Sequence, residues 1–245
     1  MYDVHGNLPA LTAVLSDVDA LGVDTIVVGG DVAWGPMPAD CLDLLRERGA
    51  RFIRGNADRV LDIGGDDESD VRVPARRWVA TRLDAERLDF LASLPLDLTL
   101  DVNGLGPVRF CHGAPHSDEL AITRLTTAAR LADLLTGIDE RVVICGHTHV
   151  QFDRTAAGIR VVNAGSVGRP CEAEPAAYWA LLDGDVKLRR TSYDIASGVQ
   201  AMLATGFPLA ADAVSSLSPD PDRPARVSRV IEEAAEAAWR RGRPA

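Results

Sequence analysis

Residues 25–31 read Thr25-Ile26-Val27-Val28-Gly29-Gly30-Asp31, a β-branched apolar run that ends in two glycines and an aspartate. Such a run is typical of a buried strand, here with Asp31 at its carboxyl end. The preceding residues 8–21 have apolar side chains at helical spacing, with Asn7 placed as an N-cap and Gly22 as a stop. The sequence therefore predicts a helix followed by a buried strand that presents an aspartate.

The same order of elements repeats directly downstream. Residues 40–48 have a helical pattern that stops at Gly49, and a predicted strand, residues 51–53, then precedes Gly55-Asn56. Alternating helices and strands indicate an α/β fold. In such folds ligands gather at the carboxyl ends of the strands, so we expect a ligand site where these polar residues lie.

The middle of the chain changes from helix to strand. Residues 74–93 and residues 123–135 are predicted to be helices, and the acidic, glycine-rich residues 64–70 are predicted to form a solvated loop. Turn residues such as Asp183-Gly184-Asp185 predict hairpins between neighbouring strands. The predicted strands cover residues 96–102, 108–111, 142–145, 161–162, 178–182 and 186–189.

The last fifty residues have a different character. Residues 195–217 are predicted to form short helices that break at Gly206-Phe207-Pro208, and the proline-rich residues 218–224 a linker. Residues 227–239 carry an apolar stripe at helical spacing. We expect this stripe to pack on its own domain, with a homo-oligomer contact as the alternative. The chain thus divides into a main domain, residues 1–195, and a C-terminal helical extension, residues 196–245.

The composition narrows the class of protein. The chain of 245 residues has 47% hydrophobic residues and a net charge of −10, and its apolar runs fall short of the roughly 20 residues that span a bilayer. Duplex-binding proteins are usually basic, so the charge argues against nucleic acid as a partner. Met1-Tyr2-Asp3 is no basic or hydrophobic leader, and the four cysteines lack C-x-x-C spacing. We therefore expect a cytoplasmic protein with free thiols and no membrane partner.

Histidine is scarce, and most of it stands beside carboxylates or asparagine in short motifs at or just past apolar β-like runs. Each motif is weak alone, because an aspartate after glycine at a strand end is often a helix cap. Together they predict a metal site. The motifs are Asp3-Val4-His5-Gly6-Asn7, Gly30-Asp31, Gly55-Asn56-Ala57-Asp58, His112-Gly113 and Gly146-His147-Thr148-His149.

The donor types suggest the ion and its chemistry. Imidazole nitrogen with carboxylate and amide oxygen suits a divalent Mn, Fe or Zn ion. The motifs hold seven such donors, Asp3, His5, Asp31, Asn56, His112, His147 and His149, which is more than one ion needs. We therefore predict two divalent ions roughly 3.5–4 Å apart, an arrangement that hydrolyses phosphate esters.

This order of motifs resembles the calcineurin-like metallophosphoesterase superfamily and, within it, the small bacterial phosphodiesterase group. The likeness covers residues 2–193, including Asn163–Gly168. It implies an α/β (α+β) fold of two packed mixed β-sheets flanked by helices, a four-layer αββα sandwich, with residues 1–195 as the catalytic domain. Carried over by motif, one ion would be held by Asp3, His5, Asp31 and His149, and the other by Asp31, Asn56, His112 and His147, with Asp31 bridging.

The resemblance implies hydrolysis of a small phosphorylated molecule. A hydroxide shared by the two ions would attack phosphorus, so no protein nucleophile is required. The predicted catalytic residues are Asn56, Asp58 and His112, with Asp58 orienting a ligand or a nearby backbone group. Arg59 and Arg169 are the predicted substrate contacts, because arginine forms bidentate pairs with phosphate.

Two features depart from the family pattern. Many relatives have a histidine after the asparagine, which is implied to protonate the leaving oxygen, and this chain has Ala57 there. The resemblance then favours phosphodiesters, or esters with good leaving groups, over ordinary monoesters; His116 is expected to lie on the surface rather than act as an acid. Relatives also begin with a hydrophobic strand before Asp-x-His. We therefore expect a central strand to be missing here, and a form extended upstream to be more soluble.

A second class of function is a scaffold or binding protein that keeps this fold with little or no activity. Every inferred metal ligand is present, which argues against it, whereas Ala57 argues for it. Among enzymes, hydrolases of dinucleoside polyphosphates or cyclic nucleotides, nucleases and protein phosphatases stay open at this stage. Mixed nitrogen and oxygen ligands do not choose among Mn, Fe and Zn.

Overall fold

The computed structural model describes residues 1–59 and 70–242, so the predicted loop at residues 64–70 lies outside the described residues except for Asp70. The described helices are α1 (Leu8–Ala20), α2 (Pro38–Glu47), α3 (Arg72–Ala80), α4 (Ala85–Ser93), α5 (Ala128–Leu134), α6 (Ile195–Ala204), α7 (Ala210–Ser215) and α8 (Arg223–Arg240). The described strands are β1 (Val27–Val28), β2 (Arg51–Phe52), β3 (Asp97–Val102), β4 (Gly106–Cys111), β5 (Val142–Cys145), β6 (Phe152–Ala156), β7 (Ile159–Asn163), β8 (Ala177–Leu182) and β9 (Val186–Thr191).

The described strands form three sheets. The largest has five strands in the order β3-β4-β5-β7-β6, in which β4, β5 and β7 run parallel and the two outer strands run antiparallel to their neighbours. Strands β1 and β2 pair in parallel, and β8 and β9 form the predicted antiparallel hairpin. Helices pack against these sheets. The mixed α/β fold predicted from the sequence is therefore confirmed.

The first residues lie between β1 and the segment that follows β7. The amide of Asp3 donates to the carbonyl of Gly30 at 3.1 Å on one side, and the amide of Val167 donates to the carbonyl of Tyr2 at 3.0 Å on the other. Backbone hydrogen bonds on both sides are the pattern of a chain segment inside a sheet. This segment therefore carries Asp3 to the same edge as Asp31.

The C-terminal extension shares a hydrophobic core with the main domain. The buried face of α1 belongs to one cluster with Met202 of α6, Phe207, and Ala213 of α7. Residues of α8 are tied to the segment before α5 by polar contacts described below. The division at residue 195 stays a prediction, but the described helices on either side of it pack together.

Two helix predictions are wrong in their extent. Residues 74–93 form two helices, because Asp84 starts α4 by accepting a hydrogen bond from the amide of Arg87 at 3.0 Å. Residues 123–127 are not helical, and α5 begins only at Ala128. One strand, β6, has no counterpart among the predicted strands. It pairs with β7 through a turn at Ala157-Gly158, where both residues have positive φ.

A buried polar network holds α8 on its own domain. Glu232 accepts hydrogen bonds from the hydroxyls of Thr123 and Thr126 at 2.5 and 2.7 Å, and from Arg130 at 3.1 Å. The side chains of Arg130 and Glu232 are only 1% and 11% exposed. Further along the helix, the Trp239 ring N–H donates to Asp133 at 2.8 Å. The apolar stripe of α8 is thus anchored through a buried ion pair, while Val230 stays exposed.

We expect Glu232→Gln to lower the free energy of unfolding by about 3 kcal/mol, because it leaves the guanidinium of Arg130 buried without its carboxylate. Urea denaturation followed by circular dichroism measures the change. The matched control is Glu233→Gln on the exposed side of the same helix, which should change stability by less than about 0.5 kcal/mol. Equal stabilities of the two variants would contradict the anchoring role of Glu232.

Candidate metal centre

The structure brings all seven predicted ligand residues to one place. Five of them follow a described strand: Asp31 follows β1, Asn56 follows β2, and His112 follows β4. His147 and His149 follow β5, which is parallel to β4. The carboxyl ends of parallel strands meet at one edge of a sheet, so residues that directly follow such strands lie close to one another.

The first set of donors is compact. Asp3, His5, Asp31 and His149 each offer one ligand atom, and these atoms lie within 4.8 Å of one another. The Nε2 atom of His149 is 3.1 Å from Nε2 of His5 and 3.2 Å from Oδ1 of Asp3. Two ligands bound about 2.1 Å from one ion are about 3 Å apart, so these spacings suit a single cation.

The second set adjoins the first through Asp31. The Nε2 atom of His112 lies 3.1 Å from Oδ1 of Asn56 and 3.3 Å from Nδ1 of His147. It is also 3.5 Å from Oδ2 of Asp31. The same Oδ2 atom lies 3.7 Å from Nε2 of His5, which belongs to the first set. Asp31 therefore stands between two groups of donors.

Two buried side-chain oxygens have no hydrogen-bond partner among the described residues: Oε2 of Glu236 and, in this cluster, Oδ1 of Asp3. The side chain of Asp3 is fully inaccessible to solvent, so bulk water does not supply a partner for its Oδ1 atom. The Nε2 atoms of His5, His112 and His149 surround it at 3.9, 3.9 and 3.2 Å. A buried carboxylate oxygen without a partner is costly. A cation would satisfy it, and the chemistry of this donor set fits a divalent metal ion.

The imidazole rings are held so that they face the cluster. Nδ1 of His5 donates to the carbonyl of Trp34 at 3.1 Å, Nδ1 of His112 to Gly29 at 2.8 Å, and Nδ1 of His149 to Arg169 at 2.7 Å. Each bond to a carbonyl fixes the tautomer and leaves Nε2 free to bind an ion.

The backbone at this edge is strained. Asp3, His5, Asp31, His147 and His149 all have φ between 49° and 65°, a region that side-chain-bearing residues seldom occupy. Such strain concentrates at functional sites. The motif glycines provide room: a Cβ atom at Gly55 would lie 2.1 Å from Oδ1 of Asp31, and one at Gly146 would lie 2.6 Å from Oδ2 of Asp3.

The four imidazoles of the cluster differ in the direction of their pKa shifts. Burial lowers the pKa of His5 and of His147 to about 4. Burial acts in the same direction on His112 and His149, but nearby carboxylates, Asp31 and Asp3 respectively, raise their pKa to about 10. The two rings with a raised pKa lie beside these carboxylates, with Nε2 of His112 3.5 Å from Oδ2 of Asp31 and Nε2 of His149 3.2 Å from Oδ1 of Asp3.

Asp58 holds the loops that carry two of these donors. Its carboxylate accepts hydrogen bonds from the amides of Asp31 at 2.8 Å, Val32 at 2.9 Å, Ala33 at 3.3 Å and Gly55 at 3.0 Å. Burial and the charge of Asp31 raise its pKa to about 6. Although Asp58 is among the residues predicted to be catalytic, these contacts are those of a positioning residue.

The predicted substrate contacts are in ion pairs with nearby carboxylates. Arg59 pairs with Glu119 and lies 3.6 Å from Asp118, and Arg169 pairs with Asp212 at the surface. The exposed ring of His116 lies 3.0 Å from Asp97, as expected for a surface histidine.

Two residues that support the site have no role in the sequence-based prediction. Asn163 donates to the carbonyl of Gly146 at 2.6 Å, directly behind the histidine motif. Ser166 donates to the carbonyl of Asp3 at 2.8 Å and accepts from the amide of Arg169 at 2.8 Å. Asn163 is the last residue of β7, and Ser166 follows this strand at the same sheet edge. Two signals in the sequence could have identified them: their position at the end of a buried strand, and their place in the Asn163–Gly168 stretch of the family likeness.

The family model that describes the calcineurin-like phosphoesterase superfamily domain matches residues 1–186. An uncharacterized protein from Methanocaldococcus jannaschii is 27% identical over 229 residues, which cover 84% of this chain and 91% of that protein. The crystal structure of a metallophosphoesterase from Sphaerobacter thermophilus is similar with a TM-score of 0.71 and 29% identity, over 89% of this chain and 96% of the other. A hypothetical protein from Pyrococcus horikoshii has the same fold, with a TM-score of 0.73 and 20% identity over 89% of this chain and 96% of the other.

In the part of the chain that the structure describes, no helix has the length and apolar character needed to cross a membrane.

Proposed function

Because the chain belongs to the calcineurin-like phosphoesterase superfamily, which normally binds divalent metal ions, we propose that it is a dinuclear metal-dependent phosphodiesterase acting on a small phosphorylated molecule. One observation carries this proposal. Two sets of donors share Oδ2 of Asp31, and a buried oxygen of Asp3 lacks a partner beside them. A structural site for one ion would need only one set.

The proposed site divides the donors into two positions. Asp3, His5, Asp31 and His149 would hold one ion, and Asp31, Asn56, His112 and His147 would hold the other. A carboxylate suits the shared position because it can bind two cations. When bound, the ions supply Lewis acidity toward phosphate oxygens and lower the pKa of water. Mn, Fe and Zn all suit these donors.

The chain's own residues orient this chemistry. Carbonyls of Gly29, Trp34 and Arg169 fix the rings of three histidines, and Asp58 fixes the backbone of Asp31. These fixed contacts mean that little reorganisation is needed when substrate binds. Asn56 and His112, whose side chains lie 3.1 Å apart, would be next to a phosphate held at the second position.

The choice of diesters rests on residue 57 and on the surrounding charges. Ala57 has no proton to give to a leaving oxygen, so esters that depart as stable anions are favoured. The arginines that flank the site are paired with carboxylates. Less positive charge is therefore left to attract the second negative charge of a monoester.

The test is Mn-dependent hydrolysis of bis-p-nitrophenyl phosphate beside p-nitrophenyl phosphate by the purified protein. We expect turnover of the diester with a higher kcat/KM than that of the monoester, and loss of both on chelation of the metal. Metal-loaded, folded protein that hydrolyses neither ester would instead support a scaffold role.

Metal binding should release about two protons per chain at pH 7, because His112 and His149 have raised pKa values of about 10 and must lose their protons to bind an ion. Affinity should therefore rise with pH between about 7 and 9. Titration calorimetry of Mn²⁺ in buffers with different ionisation enthalpies measures the number of protons. His116→Ala is the control and should release the same number, since that ring is exposed. Binding without proton release would contradict the assignment of these two histidines as ligands.

A further inference from the structure

The C-terminal extension reaches the edge of the candidate metal centre. A narrow cleft there is lined by residues of both parts of the chain, among them His5, Trp34, Arg169, Phe207 and Asp212. Arg169 adjoins the donors directly, because its carbonyl accepts the hydrogen bond from Nδ1 of His149. Its guanidinium is paired with Asp212 of α7. A carboxylate from outside the predicted catalytic domain thus neutralises a cation beside the site.

Aromatic packing fixes the position of α7. The ring of Phe207, in the turn between α6 and α7, contacts Trp34 edge-on with centroids 6.2 Å apart, and contacts Trp78 at 5.3 Å. Phe207 is only 4% exposed, and Ala210 and Ala213 of α7 belong to the same hydrophobic cluster. Trp34 also provides the carbonyl that orients His5. Asp212, which pairs with Arg169, therefore belongs to a helix that is packed on the hydrophobic core rather than to a loose surface loop.

We propose that Asp212 is a specificity-determining residue, which selects singly charged phosphodiesters over doubly charged phosphomonoesters by neutralising Arg169. This inference rests on the proposed function and extends it to the basis of substrate choice. It assigns to the C-terminal extension a direct part in the site.

The two classes of ester differ in charge. A phosphodiester has one negative charge at pH 7, whereas a monoester has between one and a half and two, because its second pKa is about 6. The carboxylate of Asp212 holds the guanidinium of Arg169 in an ion pair and so reduces its attraction for these charges. The monoester is disfavoured more, since it has more charge at the same place. The side chains of Asp212 and Arg169 are 53% and 30% exposed, so salt should weaken the effect of the carboxylate on substrate choice.

The experiment compares kcat/KM for p-nitrophenyl phosphate and bis-p-nitrophenyl phosphate in the Mn-loaded full chain. Asp212→Asn should raise the monoester-to-diester ratio by about 5-fold at low salt, and less at high salt. The matched control is Asp19→Asn, which removes a carboxylate of similar exposure from an ion pair with Arg48. Asp19 lies at the far end of α1, about 18 Å along the helix axis from its N-cap near the site. It should leave the ratio unchanged.

Arg169→Gln decides whether the effect passes through the guanidinium. In that background, adding Asp212→Asn should change the ratio by less than half of its effect in the native background, because the pair is already broken. Calorimetric titration with inorganic phosphate gives a readout independent of turnover: Asp212→Asn should bind phosphate several-fold more tightly than wild type.

The outcomes separate the two proposals. An unchanged ratio and unchanged phosphate affinity in Asp212→Asn, or an equal shift in the Asp19→Asn control, would overturn the role of Asp212. Wild-type protein that hydrolyses neither ester would overturn the proposed function, and the phosphate titration would then still decide whether Asp212 controls anion binding at this edge.

Discussion

Asp31→Asn should lower kcat/KM for bis-p-nitrophenyl phosphate by roughly 10³-fold, because the amide can no longer serve as an anionic ligand between the two donor sets. Loss of Lewis-acid stabilisation of several kcal/mol corresponds to a rate loss of this size. Metal analysis should show fewer than two Mn ions per chain in the variant. Steady-state kinetics and the metal content of the same sample measure the two effects together.

The control for this substitution is Asp24→Asn. Asp24 is exposed and precedes β1, whereas Asp31 follows it, so the two carboxylates lie at opposite ends of one strand. The control should retain wild-type activity and metal content. If Asp31→Asn binds two Mn ions and keeps its activity, Asp31 is not a bridging ligand.

Ala57→His should raise turnover of an alkyl phosphomonoester such as glycerol 2-phosphate by roughly 10²-fold, since it introduces a proton donor for a poor leaving group. The position is suitable because the amide of Ala57 donates to Oδ1 of Asp31 at 2.8 Å, next to the candidate centre. The p-nitrophenyl esters should change little, because p-nitrophenolate departs without a proton. The gain should fade as pH rises through about 6.5, where an ordinary histidine loses its proton.

Ala57→Gln is the control, as it adds a polar side chain that cannot act as an acid near neutral pH. It should leave the alkyl monoester slow. A gain of similar size in Ala57→Gln, or no gain in a folded Ala57→His protein with two bound Mn ions, would contradict the claim that the missing acid at residue 57 causes the diester preference.

The arrangement of the candidate site was predictable because its signals are local. Asp31, Asn56, His112, His147 and His149 come at or just past strand-like runs, and parallel strands bring such positions to one edge. Asp31 after β1 and His112 after β4 needed no knowledge of distant contacts. The resemblance then grouped the donors into the two sets that the structure places side by side.

The misplaced elements depend on contacts far apart in the sequence. Residues 123–127 have a helical pattern, but Thr123 and Thr126 turn toward Glu232, more than one hundred residues away. The pairing of Arg169 with Asp212 likewise joins two segments that periodicity does not connect. The end of α3 before Asp84 was missed for another reason: an aspartate N-cap inside a continuous apolar pattern is easily read as helix interior.

Anomalous diffraction from a crystal of the protein soaked in Mn²⁺ tests the central claim most directly. We expect two peaks roughly 3.5–4 Å apart, one beside Asp3, His5 and His149 and the other beside Asn56, His112 and His147, with Asp31 touching both. A single peak in a protein that fully hydrolyses bis-p-nitrophenyl phosphate, or two peaks without Asp31 between them, would contradict a dinuclear centre bridged by this residue.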